Sequence, residues 1–357
     1  MRGVFGSRVG VLVAVLAVVA AACTREQPDV GQQPEETRSL FAVVQERGTL
    51  RCGVNETVPG FGFATEAGTI EGFDIDFCKA IAAAVLGDPE AHQLVPISAD
   101  ERFNALRAGQ YDVLVRNTTW TSSRDGAEGV TFAHVNFYDG QGMMVRRGEF
   151  RSVQAMDGTT VCVTAGTTTE LNLADYAQQL NIDIEQLTFE TNDEILEAFT
   201  AERCDGWTSD RSQLAALKFQ FESETGPLVI LDDIMSKEPL APAVLDGDSD
   251  WYDAVNWVVN GLILAEELGV SSENVEQEAS NPSNPQIGNL LGAPTEEGAP
   301  FDPGLGLEPD FMVGVLNAVG NYGEIFDRHV APLGLERGLN ALWNDDPPGL
   351  QYAMPFR

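Results

Sequence analysis

The chain has 357 residues, of which 43% are hydrophobic, and it carries a formal net charge of −34 at pH 7. This length accommodates two domains of ordinary size, and the hydrophobic fraction excludes a chain that is disordered throughout. The negative charge argues against nucleic acid and other bulk polyanions as partners, because like charges repel.

The N-terminus has the pattern of an export signal. Two arginines precede an apolar run over Val9–Val19, and three alanines then lead to Cys23. This pattern predicts a signal peptide over residues 1–22, which is too short to be a structural membrane span. A cysteine directly after small residues predicts cleavage before Cys23 and lipidation of its thiol. The alternative is an ordinary signal peptide that ends in Ala-x-Ala.

Residues 23–45 are predicted to form a flexible, lipidated tether. The part from Thr24 to Arg38 is polar, contains two prolines and has no core-forming pattern. We therefore expect a lipoprotein anchored to the extracytoplasmic side of the cell membrane. If the lipid signal is not used, we expect a periplasmic protein.

From Gly48 onward, short apolar strands alternate with helices. The predicted elements are, in chain order, a strand over Leu50–Val54, a helix over Phe77–Leu86, a strand over His92–Ile97, a helix from Asp100, a strand over Tyr111–Val115, and helices over Trp251–Leu268 and Phe311–Val319. Residues 271–310 are rich in Pro, Gly, Asn and Glu, and predict a long surface excursion. The alternation predicts an α/β architecture with a largely parallel sheet.

A donor-rich segment follows the predicted strand Tyr111–Val115. Residues 117–123 are uncharged and supply an asparagine amide and several hydroxyl groups, and the segment ends at Arg124. Several donors, a fixed positive charge and a planar guanidinium suit the binding of a small carboxylate. The alternative for Arg124 is a surface arginine at the start of a helix, which Ser122 would cap.

Two parts of the chain recur. Residues 193–210 repeat the plan of residues 100–117 at a shift of 93, which places Asp210 opposite Asn117, and residues 158–162 resemble residues 48–52 at a shift of 110. The repeats predict two lobes of similar plan, whose strand ends face a common crevice. Chance similarity is the alternative, because the matches are few.

The chain is expected to cross between the lobes twice, near residues 138–145 and 233–239. Lobe 1 is accordingly predicted to comprise residues 46–143 and 237–357, with an extended C-terminal part, and lobe 2 to comprise residues 144–236.

Besides Cys23 the sequence has four cysteines, and an even number in an exported chain favours disulfides. Among three connectivities we expect Cys52–Cys78 and Cys162–Cys204, since each pair then stays within one proposed lobe. Neither pair has CxxC spacing, so we expect no zinc site, and we expect no cofactor.

Several motifs together resemble one family. The run Gly72–Phe77, followed by Ile81, Ala82 and Val85, matches the signature of the family 3 extracellular solute-binding proteins of ABC importers. The resemblance continues through residues 118–124, 138–142, 166–176, 320–328 and 337–343. It covers the chain from about residue 40 to the end and is greatest with the general L-amino-acid-binding subgroup.

This resemblance implies a two-lobed type II periplasmic-binding-protein fold, in which each lobe is a mostly parallel sheet flanked by helices and a hinge joins the lobes. It further implies a monomer without catalytic residues that closes on a free L-amino acid, with broad or polar and acidic specificity. The partners would be the permease subunits of an ABC transporter.

The resemblance also assigns roles to individual residues. Arg124 would bind the ligand's α-carboxylate and Asp210 its α-ammonium, although Asp210 could instead only cap a helix at Ser212. The other implied contacts are Asn117, Thr119, Thr167 and Thr168. Asn55 stands where relatives of narrow specificity have an aspartate, which argues against a strict preference for lysine, arginine or histidine.

Two alternatives remain from the sequence. One is an enzyme on the same fold, such as a dehydratase, for which Glu56 and Glu170 are the candidate acid–base groups. The other is a ligand-sensing subunit that docks a receptor instead of a permease.

Overall fold

The computed structural model describes residues 38–294 and 298–357, and Ser39–Arg357 form one compact unit. The predicted signal peptide, Cys23 and the tether up to residue 37 lie outside the described residues. Residues 40–45 were also assigned to the flexible tether, which was wrong, because they belong to the helix Leu40–Arg47, whose Phe41 and Val44 are buried in the core. Within the described ranges, no helix has the length and apolar character that a membrane crossing requires.

Helices account for much of the described chain. Their bounds are α1 Leu40–Arg47, α2 Phe73–Leu86, α3 Arg102–Arg107, α4 Ser122–Ala127, α5 Thr168–Leu180, α6 Asn192–Thr200, α7 Arg211–Thr225, α8 Ser249–Glu267, α9 Val275–Ser280, α10 Pro285–Leu290, α11 Phe311–Val319 and α12 Tyr322–His329.

The strands are short and are distributed along the same part of the chain. Their bounds are β1 Leu50–Val54, β2 Thr57–Val58, β3 Gly62–Ala64, β4 Ile70–Glu71, β5 His92–Pro96, β6 Val113–Leu114, β7 Val130–Phe132, β8 Phe137–Asp139, β9 Gln141–Arg146, β10 Thr159–Thr164, β11 Ile184–Phe189, β12 Gly206–Asp210, β13 Leu228–Ile230, β14 Glu238–Leu240 and β15 Ala243–Leu245.

Two five-stranded sheets have the same plan. The first has the order β5-β1-β6-β15-β7 and the second the order β11-β10-β12-β9-β13. In each, the fourth strand is antiparallel to both of its neighbours, and the remaining strands run in one direction. The prediction of two mostly parallel sheets is confirmed.

The chain passes between the sheets along two paired strands. β8 leads from the first sheet into β9 of the second, and β14 leads back into β15 of the first. β8 and β14 pair antiparallel, so that Asp139 lies opposite Glu238. The antiparallel strand of each sheet is therefore the one that follows a crossing.

Helix α2 begins at Phe73, four residues before the predicted start at Phe77. Gly72 precedes it with a φ of 146°, and a Cβ atom on Gly72 would lie only 2.2 Å from the carbonyl oxygen of Phe61. A glycine is therefore required at this turn into the helix. The helix is buried over most of its length, which explains why apolar periodicity alone did not locate its start.

The C-terminal part completes the core of the first lobe. Helices α8, α11 and α12 pack on α2, and residues from the segment 271–310 join the same core, among them Val275, Ile287, Leu290 and Leu307. The expectation of a long surface excursion was therefore wrong for this segment. Its apolar residues are widely spaced in a polar composition, which hid their contribution.

Both expected disulfides are confirmed. Cys52 of β1 is bonded to Cys78 of α2, and Cys162 of β10 is bonded to Cys204, which precedes β12. Each bond thus joins elements that pack around one of the two five-stranded sheets.

The internal repeat has the same hydrogen bonds in both sheets. Asp112 accepts a bond from the backbone N–H of Arg51 at 2.8 Å, and Asp205 accepts one from that of Thr160 at 2.9 Å. The shift of 93 residues therefore relates β6 to β12 in the structure. The shift that relates β1 to β10 is 109 residues and not 110, because Cys52 pairs with Val113 as Val161 pairs with Gly206.

Candidate ligand-binding site

A cavity of about 220 Å³ lies where the parallel strands of both sheets end. Its lining comes from the segments that follow β1, β5, β6 and β11 and from the last residues of β10 and β12. Open α/β sheets bind ligands at these carboxyl ends. All of the sequence-predicted binding residues line it, namely Asn55, Asn117, Thr119, Arg124, Thr167, Thr168 and Asp210.

Arg124 is 9% exposed and lies in the short helix α4. Its Nη1 donates to the carbonyl oxygen of Thr119 at 2.8 Å, and its guanidinium lies 5.6 Å from the centre of the Phe103 ring. Burial lowers the pKa of Arg124, while nearby carboxylates oppose the shift. The helix is capped by Thr121, which accepts from the backbone N–H of Arg124, so the expected cap at Ser122 was wrong.

Asp210 is the last residue of β12 and is 7% exposed. Its side chain makes no capping hydrogen bond to helix α7, and Asp139 instead accepts from the backbone N–H of Ser212 at 3.2 Å. The pKa of Asp210 is raised by burial first, and then by the charges of Asp139 and Glu238. A buried carboxylate in this situation is stabilised by a cation that enters the cavity.

A chain of amide side chains crosses the cavity wall. The Nδ2 of Asn55 donates to Oδ1 of Asn117 at 3.1 Å, and the Nδ2 of Asn117 lies 3.4 Å from Oε1 of Gln213. Gln213 in turn donates to Asn192 at 3.0 Å. These bonds connect Asn55 and Asn117, which follow β1 and β6 of the first sheet, with Asn192 and Gln213, which follow β11 and β12 of the second.

The backbone of Asn117 is also specialised. It has a positive φ of 30°, and its N–H donates to Asp74 at 2.7 Å. Burial raises the pKa of Asp74 to about 7, against the opposing effects of this hydrogen bond and of the charge on Arg116.

Two threonines predicted to face the ligand are joined by a carboxylate. Oγ1 of Thr119 and Oγ1 of Thr168 donate to Glu238 at 2.6 and 2.8 Å, and Asn172 also donates to Glu238 at 2.8 Å. Glu238 is 1% exposed, so it connects the two sides of the cleft from within. Both hydroxyl protons are therefore already directed to a protein acceptor.

Thr167 caps helix α5 by accepting from the backbone N–H of Glu170 at 3.3 Å. The backbone N–H groups at the start of an α-helix have no intrahelical acceptor, and they favour an anion. Residues 167–169 line the cavity, so this helix end can contribute N–H donors. Glu170, one of the two candidate acid–base groups, accepts from the backbone N–H of Gly166 at 3.0 Å. This hydrogen bond gives its carboxylate a structural role at the start of helix α5.

Sequence reasoning missed several buried charged residues at the site. Arg102, Arg116, Asp139 and Glu238 all lie inside motifs that were considered, but nothing in their spacing distinguished them from surface residues. Arg116 donates to the carbonyl oxygen of Ile97 at 2.8 Å, and burial lowers its pKa to about 10.

The described residues contain no group of three or more His, Cys, Asp and Glu side chains arranged to hold a metal ion. The donor set of the cavity is amides, hydroxyl groups, arginines and one buried carboxylate. Such a set matches a small, charged organic ligand.

Two α/β lobes, connected by a pair of strands and enclosing a polar cleft, define a type II periplasmic-binding-protein fold. The chain belongs to the bacterial extracellular solute-binding proteins, family 3, whose family profile matches residues 50–273. Both the fold and the family expected from the sequence are confirmed.

Relatives cover nearly the whole chain. The General L-amino acid-binding periplasmic protein AapJ of Rhizobium johnstonii is 46% identical over 318 residues, which are 88% of this chain and 92% of the relative. The Glutamate/glutamine/aspartate/asparagine-binding protein BztA of Rhodobacter capsulatus is 43% identical over 318 residues, or 88% and 92% of the two chains. These relatives place the chain in the AapJ-like subgroup.

A solved structure agrees in fold. An ABC transporter periplasmic binding protein from Brucella ovis with glutathione bound has 42% sequence identity and a TM-score of 0.84. The match covers 89% of this chain and 99% of the Brucella chain.

Proposed function

We propose that this protein captures free L-amino acids outside the cytoplasm and delivers them to the permease subunits of an ABC importer. One observation carries the proposal: Arg124, from the first-sheet side, and Asp210, at the end of a second-sheet strand, are buried and line the same cavity. A guanidinium suits an α-carboxylate and a buried carboxylate suits an α-ammonium, so the pair is complementary to a zwitterion.

The remaining cavity residues support the same ligand class. The N–H groups at the start of α5 add donors for the carboxylate, and the amides of Asn55 and Asn117 supply neutral polar contacts. A neutral Asn55 is compatible with ligands of broad, polar or acidic character. The amino-acid-binding names of the relatives support this assignment.

The proposal includes the organisation of the whole chain. The lobes are proposed to comprise residues 46–143 with 237–357, and residues 144–236, so that the chain crosses between them close to the paired strands β8 and β14. We further propose that the lobes close around the ligand and that the protein acts as a monomer. The signal peptide would direct its export, and a lipid on Cys23 would anchor it to the membrane. A receptor-docking subunit is the alternative if no permease engages the closed form.

The residues that line the cavity give little support to the alternative of an enzyme on the same fold. Its lining residues, all within the described part of the chain, include no histidine, lysine or cysteine, and Glu56 is exposed at its edge. General acid–base catalysis needs a positioned group whose pKa suits proton transfer. Binding therefore accounts for the site better than turnover does.

The test begins with a thermal-shift screen of free amino acids, followed by calorimetry with the best ligand. Arg124→Ala is expected to abolish binding, because it removes the cation that meets the α-carboxylate. The melting curve should change little, since Arg124 makes one hydrogen bond to Thr119. Amides and N-acetyl derivatives of the ligand should also fail to bind the wild-type protein.

Arg203→Ala is the matched control, because Arg203 is exposed and does not line the cavity. It should bind as the wild type does. Unchanged affinity in Arg124→Ala, or conversion of a bound amino acid into another compound, would contradict the proposed function.

A further inference from the structure

Arg102 is the most isolated buried cation of the cleft. It opens helix α3, is 2% exposed, and lines the 220 Å³ cavity. Its Nη2 donates to the carbonyl oxygen of Gly166 at 3.2 Å, but its Nε has no hydrogen-bond partner among the described residues. A buried guanidinium with an unsatisfied donor is costly, and such a group commonly has a function that compensates for the cost.

The buried side chains that line the cavity carry more positive than negative charge. Three buried arginines line it, Arg102, Arg116 and Arg124, whereas Asp210 is its buried carboxylate among the described lining residues. Glu56 and Glu190 also line it but are exposed to solvent. Behind the lining, Asp74 acts on Arg116 and Glu238 acts on Arg124, whereas Arg102 shares the carboxylate of Asp210 with Arg124.

A bound zwitterion would leave the imbalance in place. The α-carboxylate would meet Arg124 and the α-ammonium would meet Asp210, which adds one negative and one positive charge. Arg116 donates to the carbonyl oxygen of Ile97 and lies in the field of Asp74. Arg102 would remain without an anionic partner.

The electrostatics of the cleft agree with the geometry. Burial lowers the pKa of Arg102 strongly, and repulsion from Arg124 and Arg116 lowers it further. An arginine keeps its proton at neutral pH, so the lowering expresses the free-energy cost of a buried cation that Asp210 compensates only in part. A ligand that brings an additional negative charge relieves this cost.

We infer that Arg102 is a specificity-determining residue that binds a second, distal carboxylate of the ligand, so that the cleft favours dicarboxylic amino acids over their amides. The inference rests on the proposed function, since it takes the α-groups to be held by Arg124 and Asp210. A planar guanidinium with free donors is suited to a carboxylate, whereas a side-chain amide presents one neutral oxygen.

A different role for Arg102 makes a distinct prediction. If Arg102 joined Arg124 on the α-carboxylate, its removal would weaken every amino acid by the same factor. If it binds the distal carboxylate, its removal weakens acidic ligands selectively. The comparison of an acid with its own amide separates the two roles, because the pair differs at the distal group alone.

The experiment measures calorimetric affinities of L-glutamate, L-glutamine, L-aspartate and L-asparagine for the wild type and for Arg102→Gln. The wild type should bind each acid at least about 10-fold tighter than its amide. Arg102→Gln should weaken the acids by about 100-fold, as expected for loss of one partner of a buried charge pair. It should change the amides by less than about threefold.

Arg107→Gln is the matched control, because Arg107 lies in the same helix but is exposed and paired with Glu128 at 2.6 Å. Its affinities should equal those of the wild type. Arg102→Lys, which keeps the charge but loses the planar fork, should retain part of the preference for acids. Melting curves of all variants establish that each is folded.

Each outcome decides the inference. Equal wild-type affinity for an acid and its amide overturns it, whether or not Arg102→Gln folds, and so does an equal loss for both in Arg102→Gln. In either case the proposed function stands, since amino acids are still bound. If no free amino acid binds the wild type, the proposed function fails and the inference fails with it.

Discussion

The exchange Asp210→Asn should separate binding from stability. It keeps the shape of the side chain but removes the charge that is proposed to meet the α-ammonium. The carboxylate is 7% exposed, and its pKa is raised by burial and by the charges of Asp139 and Glu238. Its ionised form therefore destabilises the ligand-free protein, whereas the same charge stabilises the complex.

The magnitude follows from this environment. A hydrogen bond to a charged group contributes about 1.5–3 kcal/mol, and breaking one side of a buried charge pair costs about 2–5 kcal/mol. We expect Asp210→Asn to reduce the binding free energy by about 2–4 kcal/mol, which corresponds to roughly 30- to 1,000-fold in affinity. The ligand-free variant should be at least as stable as the wild type at pH 7.

Calorimetry and urea unfolding, each from pH 5 to about 8, test both parts. Wild-type affinity should fall as the pH is lowered, because Asp210 takes up a proton above the pH range of an ordinary carboxyl group. In Asp210→Asn this fall should be smaller. Asp193→Asn, an exchange of an exposed residue in the first turn of α6, is the control and should match the wild type.

Two results would refute the reasoning about Asp210. One is an affinity within about threefold of the wild type, since a lost charge-assisted contact costs more than that. The other is a ligand-free variant that is less stable than the wild type, which would show that the buried charge stabilises the fold.

Three further predictions concern groups around the cleft. Glu238→Gln should lower the free energy of unfolding by about 2 kcal/mol in urea denaturation, because the amide replaces one carboxylate oxygen by an NH2 group that cannot accept the hydrogen bonds made to that oxygen; an unchanged value would contradict this. Replacing Cys162 and Cys204 by serine should cost about 4 kcal/mol, from the loop of 42 residues that the disulfide closes; calorimetric melting against the wild type measures it, and a loss below about 1 kcal/mol would be inconsistent with the loop entropy. Asp74 has its pKa raised from 3.8 to about 7, so it takes up a proton on folding between these values. The ligand-free stability should therefore fall as pH rises from about 4 to about 7, and Asp74→Asn should reduce that slope; an identical slope would contradict the assignment.

The fold could be predicted from the sequence where local patterns were strong. The strand Leu50–Val54 and the helix Phe311–Val319 have the predicted bounds, because each combines an apolar run with clear turn signals. The start of α2 was missed, because a helix buried on nearly all sides lacks amphipathic periodicity. The contribution of segment 271–310 to the core was missed for a related reason. Its few apolar residues become buried only by packing against helices that are distant in sequence.

The candidate site was predictable to the extent that its residues follow strand ends in recognisable motifs. Asp210 ends one repeated unit, and Arg124 ends the donor-rich segment that follows the other, so the sequence could place both at one crevice. Glu238 could not be found in this way, because three of its four side-chain donors, those of residues 119, 168 and 172, come from distant parts of the chain, and only Ser236 is close in sequence. The same holds for Asp139 of β8, which accepts from the backbone N–H of Ser212 at the start of α7.

The sequence by itself determined the class of fold, the repeat and both disulfides, because these depend on periodicity, spacing and chain order. It also contained every arginine of the cleft, but it gave no means of telling a buried guanidinium from an exposed one. Tertiary structure decided that Arg102 is 2% exposed with an unsatisfied Nε, whereas Arg107, in the same helix, is exposed and paired. Burial and the balance of charge around a side chain are properties of the packed molecule, since both are set by residues far apart in sequence.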